Sequence, residues 1–200
     1  MKRILFFLLI SASMLMAEAN QSTNFVKVYW TAFKTFEKIG VNGEFTSVKF
    51  TPKRNKSKSL YELLLGAKIA IDSTKLETHN IGRNKKVVAL FFGKLAGKTI
   101  TGEIVETKEK TSTTGTLVAK ITMNKKDVLI PMKYDFDYKH QELVANGVLD
   151  IFDFNGNDAL KSINTECFDL HKGKTWNDVE IEFRIHIEGY SQKHFQGLFS

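Results

Sequence analysis

From residue 26 onward, apolar and polar positions alternate along much of the chain. Val26, Val28 and Trp30 alternate with Lys27, Tyr29 and Thr31, and Val48 and Phe50 continue a second run after Gly43. Further runs cover Ala67–Asp72, Thr99–Ile104, Leu117–Met123, Val128–Phe136 and Ala145–Ile151, and the last pairs Val179, Ile181, Phe183, Ile185 and Ile187 with intervening Glu, Arg and His. A period of two with one apolar face predicts half-buried antiparallel strands. About eight such runs occur, with Thr111–Gly115 and Asn124–Asp127 between them as hairpin turns. Two stretches follow a helical spacing instead: Arg83–Phe92, and Asp158–Cys167 with Asn157 or Asp158 available to cap it. The pattern predicts a mainly β domain with one or two short helices, built as a sandwich or an antiparallel barrel. Pro131 falls inside a strand and cannot donate a ladder hydrogen bond, so its strand is expected at an edge or a gap.

The first nineteen residues read differently. Met1-Lys2-Arg3 is a basic start, Ile4–Met16 is an apolar run of 13 residues interrupted by Ser11 and Ser13, and Ala17-Glu18-Ala19 is an A-x-A cleavage pattern. Together they predict a signal peptide over 1–19, cleaved after Ala19 or Ala17, and a mature domain over 20–200. The run is too short to span a hydrocarbon core, which takes roughly 20 residues. The expected location is a periplasm-like space or the outside of the cell.

Composition narrows the function. The chain has 200 residues, 42% of them hydrophobic, with 16 Phe and a net charge of +7. Past residue 19 the only arginines are Arg54, Arg83 and Arg184, and the positive charge is lysine scattered along strands. Nucleic-acid readers lean on arginine for bidentate contacts, so no nucleic-acid partner is expected. The outward strand faces carry Lys, Glu and Thr, unlike the apolar outside of an outer-membrane barrel. The dense run Lys53-Arg54-Asn55-Lys56-Ser57-Lys58 reads as a solvated loop or, alternatively, as a transient contact with anionic lipid head groups.

Catalytic and metal chemistry find little support. A single cysteine cannot form an intrachain disulfide or a zinc ribbon. None of His79, His140, His171, His186 and His194 falls in an H-x-x-x-H or H-E-x-x-H spacing. Cys167, Asp169 and His171 would share one face of a strand, but three such ligands of mixed softness make a poor metal set. On a helix, Cys167 reads as a buried small hydrophobe. No catalytic residue, metal or cofactor is therefore expected.

Specific segments carry a family resemblance. Val28-Tyr29-Trp30-Thr31-Ala32-Phe33-Lys34-Thr35, followed by Gly40-Val41-Asn42-Gly43-Glu44-Phe45, resembles the opening of the YceI-like family. Ile71-Asp72, Thr78, Asn80 and Arg83-Asn84 resemble its I-D, T-x-N and R-D segment, which leads into a helix ending in two aromatics, here Phe91-Phe92. Asp150-Ile151-Phe152-Asp153-Phe154 resembles a D-x-x-D-F segment, and Leu160–Cys167 with Gly173–Val179 resembles the ending of a subgroup. Two positions depart from the pattern. Asn84 stands where the family usually has Asp, and Met123-Asn124-Lys125-Lys126 replaces a glycine-containing turn.

The resemblance implies an extended, lipocalin-like antiparallel β-barrel with a long apolar channel for an isoprenoid or a fatty-acid-like amphiphile, and no catalytic residues. An apolar tail gains roughly 0.8 kcal/mol per buried CH₂, so such a site needs apolar walls and few polar groups. The candidates near the entry strand are Phe33, Phe36, Ile39, Val41 and Phe45. Trp30, Phe50, Ile104, Ile121, Tyr134, Phe152 and Trp176 are further wall candidates, with Lys34 and Arg83 for an anionic head group. The expected role is sequestration or transport of the amphiphile. The alternatives are an enzyme acting on a lipid or small ester in the same barrel, and a stress-related interaction module whose interior is filled by its own side chains. A homodimer through exposed strand edges stays open.

Overall fold

The computed structural model describes residues 26–54, 59–187 and Tyr190. The leader expected over 1–19 lies outside the described residues, as do Asn55–Lys58 of the basic run and His194. Ten strands form one antiparallel sheet, two more than the alternation suggested. The first half of the chain supplies β1 (Val26–Lys34), β2 (Ile39–Phe45), β3 (Val48–Thr51), β4 (Lys68–Asp72) and β5 (Leu76–Glu77). The second half supplies β6 (Thr99–Glu109), β7 (Thr114–Met123), β8 (Lys126–Asp137), β9 (Glu142–Asp150) and β10 (Thr175–His186). The extra strands are β2 and the two-residue β5. In β2 the inward positions are Val41, Gly43 and Phe45, and the glycine hides the apolar alternation.

The strand order is β3-β4-β6-β7-β8-β9-β10-β1-β2-β5. Only Thr46 and Ser47 separate β2 from β3. Thr46 N–H donates to the Lys75 carbonyl, while the Ser47 carbonyl accepts from Asp72 N–H. At this bend the chain leaves β1 and joins β4, so one continuous stretch of backbone links the two sides of the sheet. The strands thereby curl into a lipocalin-like barrel.

One end of the barrel is packed solid. Helix α1 (Leu60–Leu64) starts at Ser59, whose hydroxyl accepts from Glu62 N–H at 3.2 Å. It drives Leu60 and Leu64 into the end of the barrel, each 1% exposed. Each such burial stabilises by about 1.5–3 kcal/mol. The rings of Phe136, Tyr138 and Tyr190 interlock in the same core, with Phe136 edge-on to Tyr138 at 5.1 Å and to Tyr190 at 5.2 Å.

Two further helices cover the other half. Helix α2 (Ile81–Lys86) is capped by Asn80, whose side-chain carbonyl accepts from Arg83 N–H at 2.8 Å. It runs on through a wider π turn at Val87–Phe91 and a tighter turn at Phe92–Lys94. Helix α3 (Asn157–Glu166) packs against that continuation. The expected side-chain cap from Asn157 or Asp158 is absent: the residue before the helix is Gly156, which has no side chain to offer. Glycine is needed there because a Cβ would collide with the Ile151 side chain.

Pro131 does not lie at a sheet edge, since β8 pairs with β7 along its length. Its ladder to β9, however, begins only at Met132↔Gly147. The missing donor therefore sits where β8 and β9 separate, which is the gap expected of a proline in a strand.

The β7–β8 hairpin closes through Asn124 and Lys125, both left-handed with φ of 52° and 61°. Two positive φ values suit the right-handed twist of a hairpin, but lysine adopts them at a cost. Asn124 has further work: its amide oxygen accepts from Ala96 N–H at 2.6 Å, and its NH₂ donates to the Phe154 carbonyl at 2.8 Å. Lys125→Gly is expected to stabilise the protein by about 1 kcal/mol, read from the midpoint of urea unfolding. Asn124→Gly removes those bonds and should destabilise despite the same backbone relief.

Candidate functional site

The inward faces of the strands do not meet along the whole barrel. Between the packed end and the opposite rim lies a cavity of about 590 Å³. That volume falls within the range of small-molecule sites, roughly 300–1,000 Å³. Its deep wall comes from alternate residues of several strands, including Ile69, Ile104, Leu117, Met132 and Phe183. Phe50 of β3 faces Phe183 of β10 with ring centroids 6.1 Å apart. The helical segment adds Val87, Phe91 and Phe92, and α3 adds Leu160, Ile163 and Cys167. Phe92 packs edge-on to Phe91 at 5.0 Å and to Phe45 at 5.8 Å. The wall is thus aliphatic and aromatic, as long-chain binding requires.

The rim opposite α1 is polar. Lys34, Asn80, Arg83, Lys86, His171 and Thr175 border the cavity there. Lys34 ends β1 opposite Thr175 of β10 and Ile39 of β2, which places it at the far end of the barrel from α1. His171 hydrogen bonds through Nδ1 to the Thr175 hydroxyl at 2.6 Å. Burial holds its imidazole below the usual histidine range, and the positive charges of Lys34 and Lys86 push the same way. Lys34, Lys86 and His171 therefore gather at one rim, and His171 is the neutral member at neutral pH.

Arg83 and Asn84 both turn to Thr78, which is 2% exposed. Arg83 Nε donates to the Thr78 hydroxyl at 2.9 Å, and its Nη2 donates to the Thr78 carbonyl. Asn84 Oδ1 accepts from Thr78 N–H at 2.9 Å and from its hydroxyl at 2.6 Å, while its NH₂ donates to Glu77 Oε1 at 3.0 Å. The Asn84 amide is the leading cause that holds the Glu77 carboxyl below the usual range. An aspartate at 84 would face that carboxylate instead of donating to it. Asn84→Asp should raise the Glu77 pKa, followed by carboxyl NMR titration. In the wild type, the contribution of Glu77 is present above its unfolded pKa and is lost as pH falls through the lower folded value. The variant should weaken this acid-side loss.

The structure brings most of the expected residues together. Trp30, Val41, Phe45, Phe50, Ile104 and Ile121 line the cavity, and Phe33, Trp176, Lys34 and Arg83 border it toward the rim. Four expected wall residues lie elsewhere. Phe36 is 73% exposed because it sits on the turn between β1 and β2, and Ile39 is 49% exposed because it opens β2 opposite Lys34, at the very end of the barrel. Phe152 is 47% exposed: Asp150 caps the turn at Ile151–Phe154 by accepting from Phe152 N–H, so Ile151 and Phe154 go inward and Phe152 outward. Tyr134 is inward but packed in the core over Gly115, and burial raises its phenol to about 12. Sequence reasoning missed Phe183, Met132 and Leu149, although each stands on the apolar face of a recognised alternation. It also missed Lys86 and His171, which have no local signal.

Cys167, Asp169 and His171 do not share a strand face, since Cys167 ends α3 and the other two follow in turns. Among the described residues, no group of three or more His, Cys, Asp or Glu could hold a metal ion. No described helix is long and apolar enough to cross a membrane.

Neither a family model nor a curated protein matches the sequence. Solved structures do. The crystal structure of Burkholderia cenocepacia BcnA superposes with a TM-score of 0.58 at 15% identity, covering 80% of this chain and 94% of that one. A polyisoprenoid-binding domain from Saccharophagus degradans, implicated in plant cell wall breakdown, gives 0.57 at 8% identity, covering 80% and 91%. A mutant of the Campylobacter jejuni YceI protein gives 0.51 at 13% identity, covering 71% and 81%. At such identities the likeness is one of architecture, and it supports the resemblance carried by the sequence motifs: this chain has the fold of the YceI-like proteins.

Proposed function

We propose that the protein binds a long-chain amphiphile, of isoprenoid or fatty-acid type, in the barrel cavity, and that after export it sequesters or carries this molecule in the periplasm or outside the cell. The observation that carries the reading is the hollow itself: mostly apolar walls, with Lys34, Arg83 and Lys86 gathered at one rim and Lys68, Glu103 and Glu182 the other charged residues that border it. A core meant only for stability would close such a space, because each unfilled volume forfeits packing contacts. The tail occupies the interior and the head group stays among Lys34, Arg83, Lys86 and His171 at the rim. The polyisoprenoid-binding domain with the same architecture is consistent with this choice of tail. Binding without chemistry is the simpler reading, since the wall is mostly hydrocarbon and the polar groups gathered at the rim are cationic or neutral.

Organic extraction of protein purified from its native host, followed by mass spectrometry, tests the proposal. The expected result is a stoichiometric molecule with a long apolar tail. Protein that carries none and takes up neither a fatty acid nor an isoprenoid would overturn it.

A further inference from the structure

The open end of the barrel carries exposed apolar side chains on three separate segments. Phe36 projects from the β1–β2 turn and Ile39 from the first position of β2, and Phe168 and Leu170 from the loop after α3, at 57% and 65% exposed. Ile81, 74% exposed, starts α2. Large apolar groups exposed together at one end mark an interaction surface more often than isolated ones do. The segments are tied into one body. Thr35 N–H donates to the Lys174 carbonyl at 2.9 Å, the Thr35 carbonyl accepts from Trp176 Nε1 at 2.7 Å, and Lys172 pairs with Glu37 at 3.5 Å. Leu170 and Gly82 also border the cavity, so the apolar tips stand around its entrance.

The same end is cationic. Lys34 and Lys86 border the cavity entrance, and Lys38, Lys85, Lys172 and Lys174 belong to the same turn, helix and loop as the apolar tips. Of the acids beside them, Glu37 pairs with Lys172, Glu166 with Lys86 and Asp178 with Lys38, while Asp169, between Phe168 and Leu170, has no ion pair among the described residues, so the lysines outnumber the one unpaired acid. Lys34, Lys85 and Lys174 have no ion-pair partner among the described residues. Ile81 and Lys85 lie four apart on α2 and so share one face, an apolar tip beside a free charge. Apolar tips inside a lysine collar match an anionic bilayer, whose head groups attract the lysines while the tips enter the interface.

We propose that this rim docks the protein onto an anionic lipid bilayer, with the cavity entrance facing the membrane. The inference rests on the lipid-cavity reading and adds where the cargo passes: between bilayer and barrel, without crossing bulk water. It also moves the membrane contact away from the basic run at Lys53-Arg54. Those residues lie at the closed end beside α1, where Lys53 lies against Gly66 and Arg54 pairs with Glu62.

The test is co-sedimentation of the protein with phosphatidylcholine vesicles, with and without phosphatidylglycerol. Binding is expected only to the anionic vesicles and should weaken with added salt. Two rim variants, Lys34→Ser/Lys85→Ser/Lys174→Ser and Phe36→Ser/Ile81→Ser/Phe168→Ser, should each reduce it, the first by on the order of a hundredfold. Lys53→Ser/Arg54→Ser should leave it intact. No binding to anionic vesicles at low salt, which would turn attention to a protein partner, overturns the proposal. So does loss of binding on changing Lys53 and Arg54 but not the rim. Uptake of a detergent-dispersed fatty acid, measured without membranes on the Phe36→Ser/Ile81→Ser/Phe168→Ser variant, keeps the two readings apart. Uptake that persists while docking fails assigns these tips to docking, whereas a wild-type protein without uptake counts against the cavity reading.

Discussion

Ala119→Phe should abolish high-affinity amphiphile binding and leave the fold in place. Ala119 lies on the inward face of β7, between Leu117 and Ile121, and borders the cavity. A phenyl group there grows into empty space, not into a packed neighbour. Displacing room for about four methylenes forfeits about 3 kcal/mol of tail burial, on the order of a hundredfold in Kd. A displacement titration with a fluorescent fatty acid reads the loss, and the melting temperature shows whether the barrel survives. An unchanged Kd in a stable variant would mean that the tail does not occupy this space.

Gly43→Ala strikes the fold and the site together. Gly43 pairs with Trp30 across β1 and β2, and the indole lies directly over it. A Cβ at residue 43 would come within 2.5 Å of Trp30 Cε2 and 2.8 Å of Cη2. Real Cβ atoms do not approach this closely, so the ring must move, and the direction left open is the cavity that Trp30 already lines. Overpacking of this kind costs typically about 1–3 kcal/mol. The expected result is a lower melting temperature, a shift in tryptophan emission, and weaker amphiphile binding in the same variant. Emission and affinity identical to wild type would show that the indole does not rest on Gly43 as described.

The glycine also explains how this strand escaped the periodicity reading. A strand is recognised by large apolar side chains on one face. In β2 the central inward position is filled by the neighbour's indole instead of a side chain of its own, so the alternation Val41, Gly43, Phe45 reads as a turn. By contrast, β8 shows its face plainly, with Ile130, Met132, Tyr134 and Phe136 buried and the intervening residues exposed. Nearness in sequence to the barrel, which suggested Phe36, Ile39 and Phe152 as wall residues, does not fix their direction: Phe36 lies on a turn, Ile39 at the open end of β2, and Phe152 is held outward beside the capping Asp150 carboxylate.

The head-group rim shows the limit most clearly. Lys34, Arg83, Lys86 and His171 come from β1, α2 and the loop after α3, segments far apart along the chain. Lys34 and Arg83 were legible through the motifs around them, whereas Lys86 and His171 became candidates only once α2 and α3 were seen to pack across the same opening.

The order of apolar and polar residues by itself determined that this chain makes a twisted antiparallel sheet, because side chains on a strand alternate faces whatever lies beyond it. The motifs around Trp30 and Arg83 added the architecture. Only the tertiary structure decided which inward residues meet and which enclose empty space. Phe136 and Phe183 look equivalent in their strands, yet one is packed beneath α1 and the other lines the hollow. The difference is set by what stands across the barrel from each, a distance between segments that no local pattern encodes.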